Sequence, residues 1–287
     1  MPTLLQHAAA SLFSTAVFRP LLAGESLDRA TRATTRLRAG LTLPSQTTNA
    51  SVVSSAYDYL RTLYRSEYYY RNLITNKLFV GRHHASGAVL LNEFRVGASV
   101  ADCVLVNGRG IVYEIKTEYD SPEKLTSQIA SYYRAFPFVN VVTDASQAAK
   151  YQRALEGSSV GIYAVGRRGT LSQVREMKPF YSDLDVKTMF NTLRQREVEA
   201  ILTQYHGEVP ATPNGIRYTT YLSLALQIPT MEFQQYMLAA LKGRRLVHSR
   251  DLVLKPSMEP LRALLVQLDP NQAGRANLAR WLEAKEI

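Results

Sequence analysis

Read for the alternation of apolar and polar positions, the chain divides into a helical start, a strand-rich middle and a helical end. Tyr57, Leu60, Leu63 and Tyr64 recur at helical spacing, and Tyr68, Leu73 and Ile74 extend the same face, which predicts one long helix. Three segments rich in β-formers follow: Val89 to Val96, Ser99 to Val106 and Gly110 to Thr117. The last two are joined by Asn107-Gly108, residues that tolerate the positive φ of a tight primed turn, so a hairpin is expected. Ser121 and Pro122 suit the N-cap and first position of a helix that Phe136-Pro137 would end. The apolar run Phe138 to Thr143 reads as a strand buried on both faces, followed by a helix from Ser146 to Glu156 and a strand from Val160 to Val165. This order predicts an α/β fold, a sheet with helices on its faces.

The flanks read differently. Residues 1–50 are expected to form an N-terminal helix and a solvated arginine-rich arm, closing in the turn-rich stretch Leu43 to Asn49. Residues 51–169 make the core, and 170–287 a mostly helical accessory region. Within that region Leu184 to Tyr205, Met231 to Leu241 and Arg275 to Ala284 read as helices, Gly207 to Gly215 as a loop and Asp251 to Leu254 as a short strand.

Composition narrows the classes. With 46% hydrophobic residues over 287 positions, the chain can fill a substantial core. Its 34 Lys and Arg against 24 Asp and Glu leave +10, a field that attracts polyanions without naming one. Cys103 is the sole cysteine, which excludes an intrachain disulfide and a thiolate zinc cluster and suits a reducing, cytoplasmic setting. No apolar run approaches the roughly 20 residues of a membrane helix, so no membrane is expected. There is no Walker loop, dinucleotide fingerprint or Gly-x-Ser-x-Gly elbow.

Candidate chemistry concentrates around the hairpin. In a strand Glu114 and Lys116 project to one face while Ile115 goes to the other. Asp102, on the preceding strand, is expected near Glu114, with Val100, Val104 and Val112 on the same face and Tyr113 and Ile115 on the opposite one. Two such acids can chelate a hard divalent ion, and a neighbouring lysine can hold a water and offset negative charge. A surface salt bridge would use the same residues, but ionisable groups on strands built for burial favour a site. His83-His84 reads as a surface loop, Tyr68-Tyr69-Tyr70 and Tyr133 as half-buried core, and Arg167-Arg168 and Lys242 to Arg245 as either phosphate contacts or helix-end charges.

Glu93, Arg95, Asp102, the run Tyr113-Glu114-Ile115-Lys116, Asp120, Leu125, Gln128 and Tyr132, followed by the strand from Val139, resemble the nuclease core of the PD-(D/E)xK superfamily. More narrowly they resemble a little-characterised bacterial branch often linked with mobile elements, over roughly the middle 100 residues. The resemblance implies a restriction-endonuclease-like mixed sheet flanked by helices and a metal-dependent nuclease acting on nucleic acid, DNA foremost, in phage defence, restriction or mobile-element biology. Magnesium or manganese would be held by Asp102, Glu114 and Glu93, with Glu67 the rival for the first acid. Lys116 would be the catalytic lysine and Gln128 would orient the attacking water, while Arg95, Tyr132 and Lys124 would contact substrate, pairing with Glu93 being the alternative for Arg95. The alternatives are a catalytically silent nucleic-acid-binding module, and a protein-interaction component of a defence or toxin system whose C-terminal helices bind a partner or a second copy.

Overall fold

The structure, a computed structural model, describes residues 3–44, 46–83, 85 and 87–285; His84 of the His83-His84 pair lies outside them. The chain forms two compact units. One comprises Met1–Ala85, Arg167–Gly169 and Leu246–Ile287, the other Ser86–Gly166 and Thr170–Arg245. The expected boundaries at 50 and 169 therefore do not coincide with the units.

The second unit holds one six-stranded sheet in sequential order: β1 (Val89–Val96), β2 (Ser99–Asn107), β3 (Arg109–Lys116), β4 (Phe138–Asp144), β5 (Gly161–Val165) and β6 (Leu171–Arg175). The first three strands are antiparallel, β3, β4 and β5 are parallel, and β6 returns antiparallel. This is the expected mixed α/β sheet. At the β2–β3 turn Gly108 alone takes a positive φ, +70°, and Asn107 pairs with Arg109 around it, so the hairpin holds without the double positive φ expected of the Asn-Gly pair. Parallel pairing requires crossovers, supplied by helices Leu125–Tyr133 and Ala148–Ala154. Ser121 does not cap the first of these; a turn carrying the hydrogen bond from Leu125 N–H to the Pro122 carbonyl intervenes.

One large core of this unit lies on the helix-covered face of the sheet. Val104, Val112, Val139, Val141 and Ile162 pack there with Ile129 and Tyr132, and with Val198, Leu202, Phe233 and Met237 from helices Gln195–His206 and Thr230–Lys242. Residues 170–245 are thus part of the sheet unit, where their apolar faces bury, rather than an accessory region. Two elements there carried weak periodicity: β6, whose residues are mostly exposed, and helix Asn214–Ala225, which buries only Tyr221 and Ala225. The segment from 184 to 205 is two helices, Val186–Phe190 and Gln195–His206, the first capped by Asp185 accepting from Thr188 N–H.

The other unit is helical. Its first three helices, Leu4–Leu12, Thr15–Ala23 and Asp28–Gly40, replace the expected solvated arm, because Ala30, Ala33, Thr34 and Leu37 form a buried face on the third. The single helix expected from Tyr57 to Ile74 is broken into Asn49–Thr62 and Glu67–Ile74, with Leu63 70% exposed at the break and Ser66 extended ahead of the second helix. Asp251 to Leu254 is helical, within Arg250–Leu254, not a strand.

Long-range polar contacts join the two ends of the sequence within this unit. Buried Asn72 donates to Glu259 O at 2.8 Å and accepts from Ala263 N–H at 2.9 Å, Asn49 donates to Trp281 O, and Asn277 donates to Leu22 O. Tyr68, Tyr69 and Tyr70 are buried there, as expected of core, and the Tyr68 hydroxyl donates to Pro260 O. No helix among the described residues is long and apolar enough to cross a membrane.

Asp269 organises the turn before the last helices, accepting from the amides of Val247, His248 and Ser249 and from the Ser249 hydroxyl. Burial alone would raise its pKa, but these four donors outweigh burial and hold the carboxyl below its usual range. A depressed folded-state pKa contributes stability that is present above the unfolded value, near about 4, and is lost as pH falls through the folded one. Asp269→Ala is expected to destabilise the helical unit by about 1–3 kcal/mol at neutral pH, an unmet-amide cost. In denaturant titrations this deficit should shrink below about pH 4; a deficit independent of pH would contradict the assignment.

Candidate functional site

The site grows from a fault in the β1–β2 hairpin. Leu91 and Val104 contribute to the helix-covered core, and so do Phe94 and Ala101, although positions three apart in a strand belong on opposite faces. The alternation resets between them, at Glu93 and Asp102. These two stand opposite each other in the register, between the pairs Asn92–Cys103 and Phe94–Ala101. Glu93 takes a φ of +53°, a conformation costly for a residue with a side chain. It therefore does not alternate as a regular strand residue, and it is exposed.

At the same level β2 leaves β3. The ladder between them ends at Cys103–Tyr113, and the Ile115 amide donates instead to Asp102 Oδ2 at 2.7 Å. A side-chain carboxylate thus takes the place of a strand carbonyl. Val100, beyond the departure, is 40% exposed rather than buried with Val104 and Val112.

β3 continues alone beside β4, with Glu114 opposite Val141 and Lys116 opposite Thr143. Glu114 is 2% exposed and Lys116 8%. Lys116 Nζ lies 2.9 Å from Glu114 Oε1 and donates to Gln128 Oε1, also at 2.9 Å. The Tyr132 hydroxyl donates to Glu114 Oε2 at 2.6 Å, with the Val100 carbonyl oxygen a second acceptor at 2.9 Å. Gln128 and Tyr132 are four apart on helix Leu125–Tyr133 and so share the face turned to β3. Burial, then the charge and hydrogen bond of Glu114, then the charge of Asp102, push the Tyr132 hydroxyl far above its usual pKa, so it stays a donor.

Of the expected site residues, Asp102, Glu114, Lys116, Gln128 and Tyr132 come together at the carboxyl end of β3. Arg95 is exposed on β1. Lys124 is exposed just ahead of the helix, without a side-chain cap bond. Glu67 belongs to the helical unit and pairs with Arg71. Asp120, quoted above only as part of a motif, orders the loop after β3: its carboxylate accepts from the Thr117 amide and hydroxyl, and its carbonyl from Lys150 and Tyr151. The spacing Thr117-x-x-Asp120 was the available signal for such a turn. Arg244 is structural, bonded to Glu197 and to Thr192 O.

The donor set can be weighed against a divalent ion. Among the described residues no three His, Cys, Asp or Glu side chains converge as a metal-binding group, so the expected trio of Asp102, Glu114 and Glu93 is not assembled. Asp102 and Glu114 do occupy facing positions one step past the last β2–β3 pair. Two carboxylates with water in the remaining positions suit magnesium better than softer metals.

The fold and site define an α/β protein whose mixed sheet carries a buried acid–lysine pair at the exit of its first parallel strand. A family model described as bacteriophage P4 protein cII matches residues 61–260, and the chain belongs to that family. A solved structure of a protein of unknown function from Silicibacter pomeroyi is similar at 15% identity, over 45% of this chain and 86% of that one, with a TM-score of 0.29, too slight to carry an argument. No curated protein matches the chain.

Breaking a buried pair strands a charge. Lys116→Met is expected to cost about 3–5 kcal/mol of stability, whereas Lys116→Met combined with Glu114→Leu costs less, because an apolar pair leaves no buried charge behind. Urea unfolding of the two single variants and the double variant measures this; additive losses would show that the two groups do not interact.

Proposed function

We propose that the chain is a metal-dependent nuclease that hydrolyses phosphodiester bonds, with DNA as its substrate class. The observation that carries this reading is the cluster of Glu114, Lys116, Gln128 and Tyr132, two of its members deeply buried charges, beside a strand departure where Asp102 accepts from the Ile115 amide. Membership of a phage protein family supports a setting in phage or mobile-element biology.

In this reading Asp102 and Glu114 hold a magnesium or manganese ion. Such an ion supplies Lewis-acid polarisation of a phosphoryl oxygen and a more acidic bound water. Lys116, now paired with Glu114, offers an ammonium to the attacking water or to a phosphate oxygen and offsets developing negative charge. Gln128 fixes the direction of that ammonium through its side-chain oxygen. Tyr132, held protonated, keeps Glu114 Oε2 oriented.

A second reading has an observation in its favour. Glu114 and Lys116 neutralise each other and Asp102 already serves the Ile115 amide, an arrangement that suits a module that binds nucleic acid without cutting it. Asp102→Asn separates the two. The asparagine oxygen still accepts from Ile115 N–H, so folding is expected to change little, while metal-dependent cleavage falls by at least about a hundredfold, the scale of one lost electrostatic contact. The assay incubates wild type and variant with circular, linear and single-stranded DNA and with RNA, with and without magnesium or manganese. Wild-type protein inert on every substrate, or a variant that cuts as well as wild type, overturns the nuclease reading.

A further inference from the structure

The positive charge of the chain is unevenly shared. The helical unit holds 18 of the 34 Lys and Arg and 9 of the 24 Asp and Glu, a balance of +9, whereas the sheet unit holds 16 against 15, a balance of +1. The unit with the buried Glu–Lys cluster thus has almost no net field with which to attract a polyanion.

The excess is most ordered on the first helices. On helix Asp28–Gly40 the buried positions are Ala30, Ala33, Thr34 and Leu37, and Arg29, Arg32 and Arg36 are exposed. Spaced i, i+3 and i+7, these arginines fall within an arc of about 60° and span about 10 Å along the axis. Arg32 and Arg36 make no ion pair among the described residues, and they stand four apart, a like-charge spacing that weakens a helix. A face turned simply to water would intersperse acids; here the helix has one, Asp28, in its first turn.

A fourth arginine is brought alongside by the backbone. Pro20 lies inside helix Thr15–Ala23 and has no N–H, so the Ala16 carbonyl lacks its helical donor. Arg29 Nη1 reaches that carbonyl at 3.4 Å. Exposed Arg19 is one turn on from Ala16, which is also exposed, so it lies on the same edge.

We propose that Arg19, Arg29, Arg32 and Arg36 form a sequence-independent grip on a nucleic-acid backbone. Guanidinium groups match phosphate oxygens in pairs of parallel hydrogen bonds, and charges spread along one helix face can follow successive phosphates. The inference rests on the nucleic-acid part of the function proposed above, but not on cleavage.

The test measures binding of full-length protein to mixed-sequence DNA and RNA duplexes in EDTA, across a salt series, so that cutting does not enter. The variant carries Arg19→Gln, Arg29→Gln, Arg32→Gln and Arg36→Gln, and glutamine keeps nearly the helix propensity of arginine. At physiological ionic strength its affinity should fall about tenfold or more, and its log–log salt dependence should become shallower by about 3.6 for DNA, near 0.9 per lost contact. The single variants Arg32→Gln and Arg36→Gln should each remove about 0.9, which keeps the test decisive if the fourfold variant folds poorly. A control with Arg153→Gln, Lys178→Gln, Lys187→Gln and Arg196→Gln in the sheet unit should change the slope far less.

Unchanged binding by the arginine variant overturns the proposal, as does an equal loss in the control. Binding to phosphatidylserine vesicles but to neither duplex also overturns it, in favour of a membrane surface. If Asp102→Asn cuts normally while the arginine variant loses its salt slope, the nuclease reading fails and the grip stands; the reverse pattern leaves the nuclease and removes the grip.

Discussion

Two opposite charges sit on the core face of β3, and much of the sheet unit is arranged around keeping them paired. Withdrawing a carboxylate and an ammonium from water costs several kcal/mol per ion, and their mutual attraction offsets that only when the remaining hydrogen-bonding capacity is met. Both Glu114 oxygens are engaged, one by Lys116 and one by Tyr132, and Lys116 has Gln128 as a further partner. Meeting those needs sets the register of helix Leu125–Tyr133 against the sheet. The loop that delivers the helix is braced in turn by Asp120 through Thr117, Lys150 and Tyr151.

The hairpin sets the edge beside the pair. A regular β2 would cover the outer edge of β3 with backbone bonds as far as Lys116. The reset of alternation at Glu93 and Asp102 stops the β2–β3 ladder at Cys103, turns Val100 toward solvent, and places a carboxylate where a carbonyl would stand. Irregularity of this kind is retained at a cost in backbone conformation, visible in the positive φ of Glu93. It stands next to the buried charges.

The two units differ in what they contribute. The sheet unit is close to neutral, whereas the helical unit carries the positive surplus, three of its arginines on the outward face of a helix whose other side is well packed. Attraction of a polyanion and chemistry on it would then be served by different surfaces of one chain, the first by long-range field and the second by short-range geometry.

Much of this was legible in residue order. Runs of β-forming and apolar residues pointed to β1 to β5, the Asn-Gly pair to the hairpin, strand alternation to Asp102, Glu114 and Lys116, and the resemblance to Gln128 and Tyr132. These features are local: a pleat or a helical turn places neighbours at fixed offsets, so the pattern along the chain carries the information. What depended on distant parts of the chain did not show. The helix expected from Tyr57 to Ile74 breaks at Leu63, residues 28–40 are a packed helix because their small apolar positions find partners, and Asn49 and Asn72 reach residues about two hundred positions away. The reset at Glu93 is of the same kind, since strand register and the fate of the Ile115 amide are settled between strands and not within one. Periodicity reports which face of an element is apolar; only packing in three dimensions decides what that face meets, where a ladder stops, and which carboxylate is left beside a buried lysine.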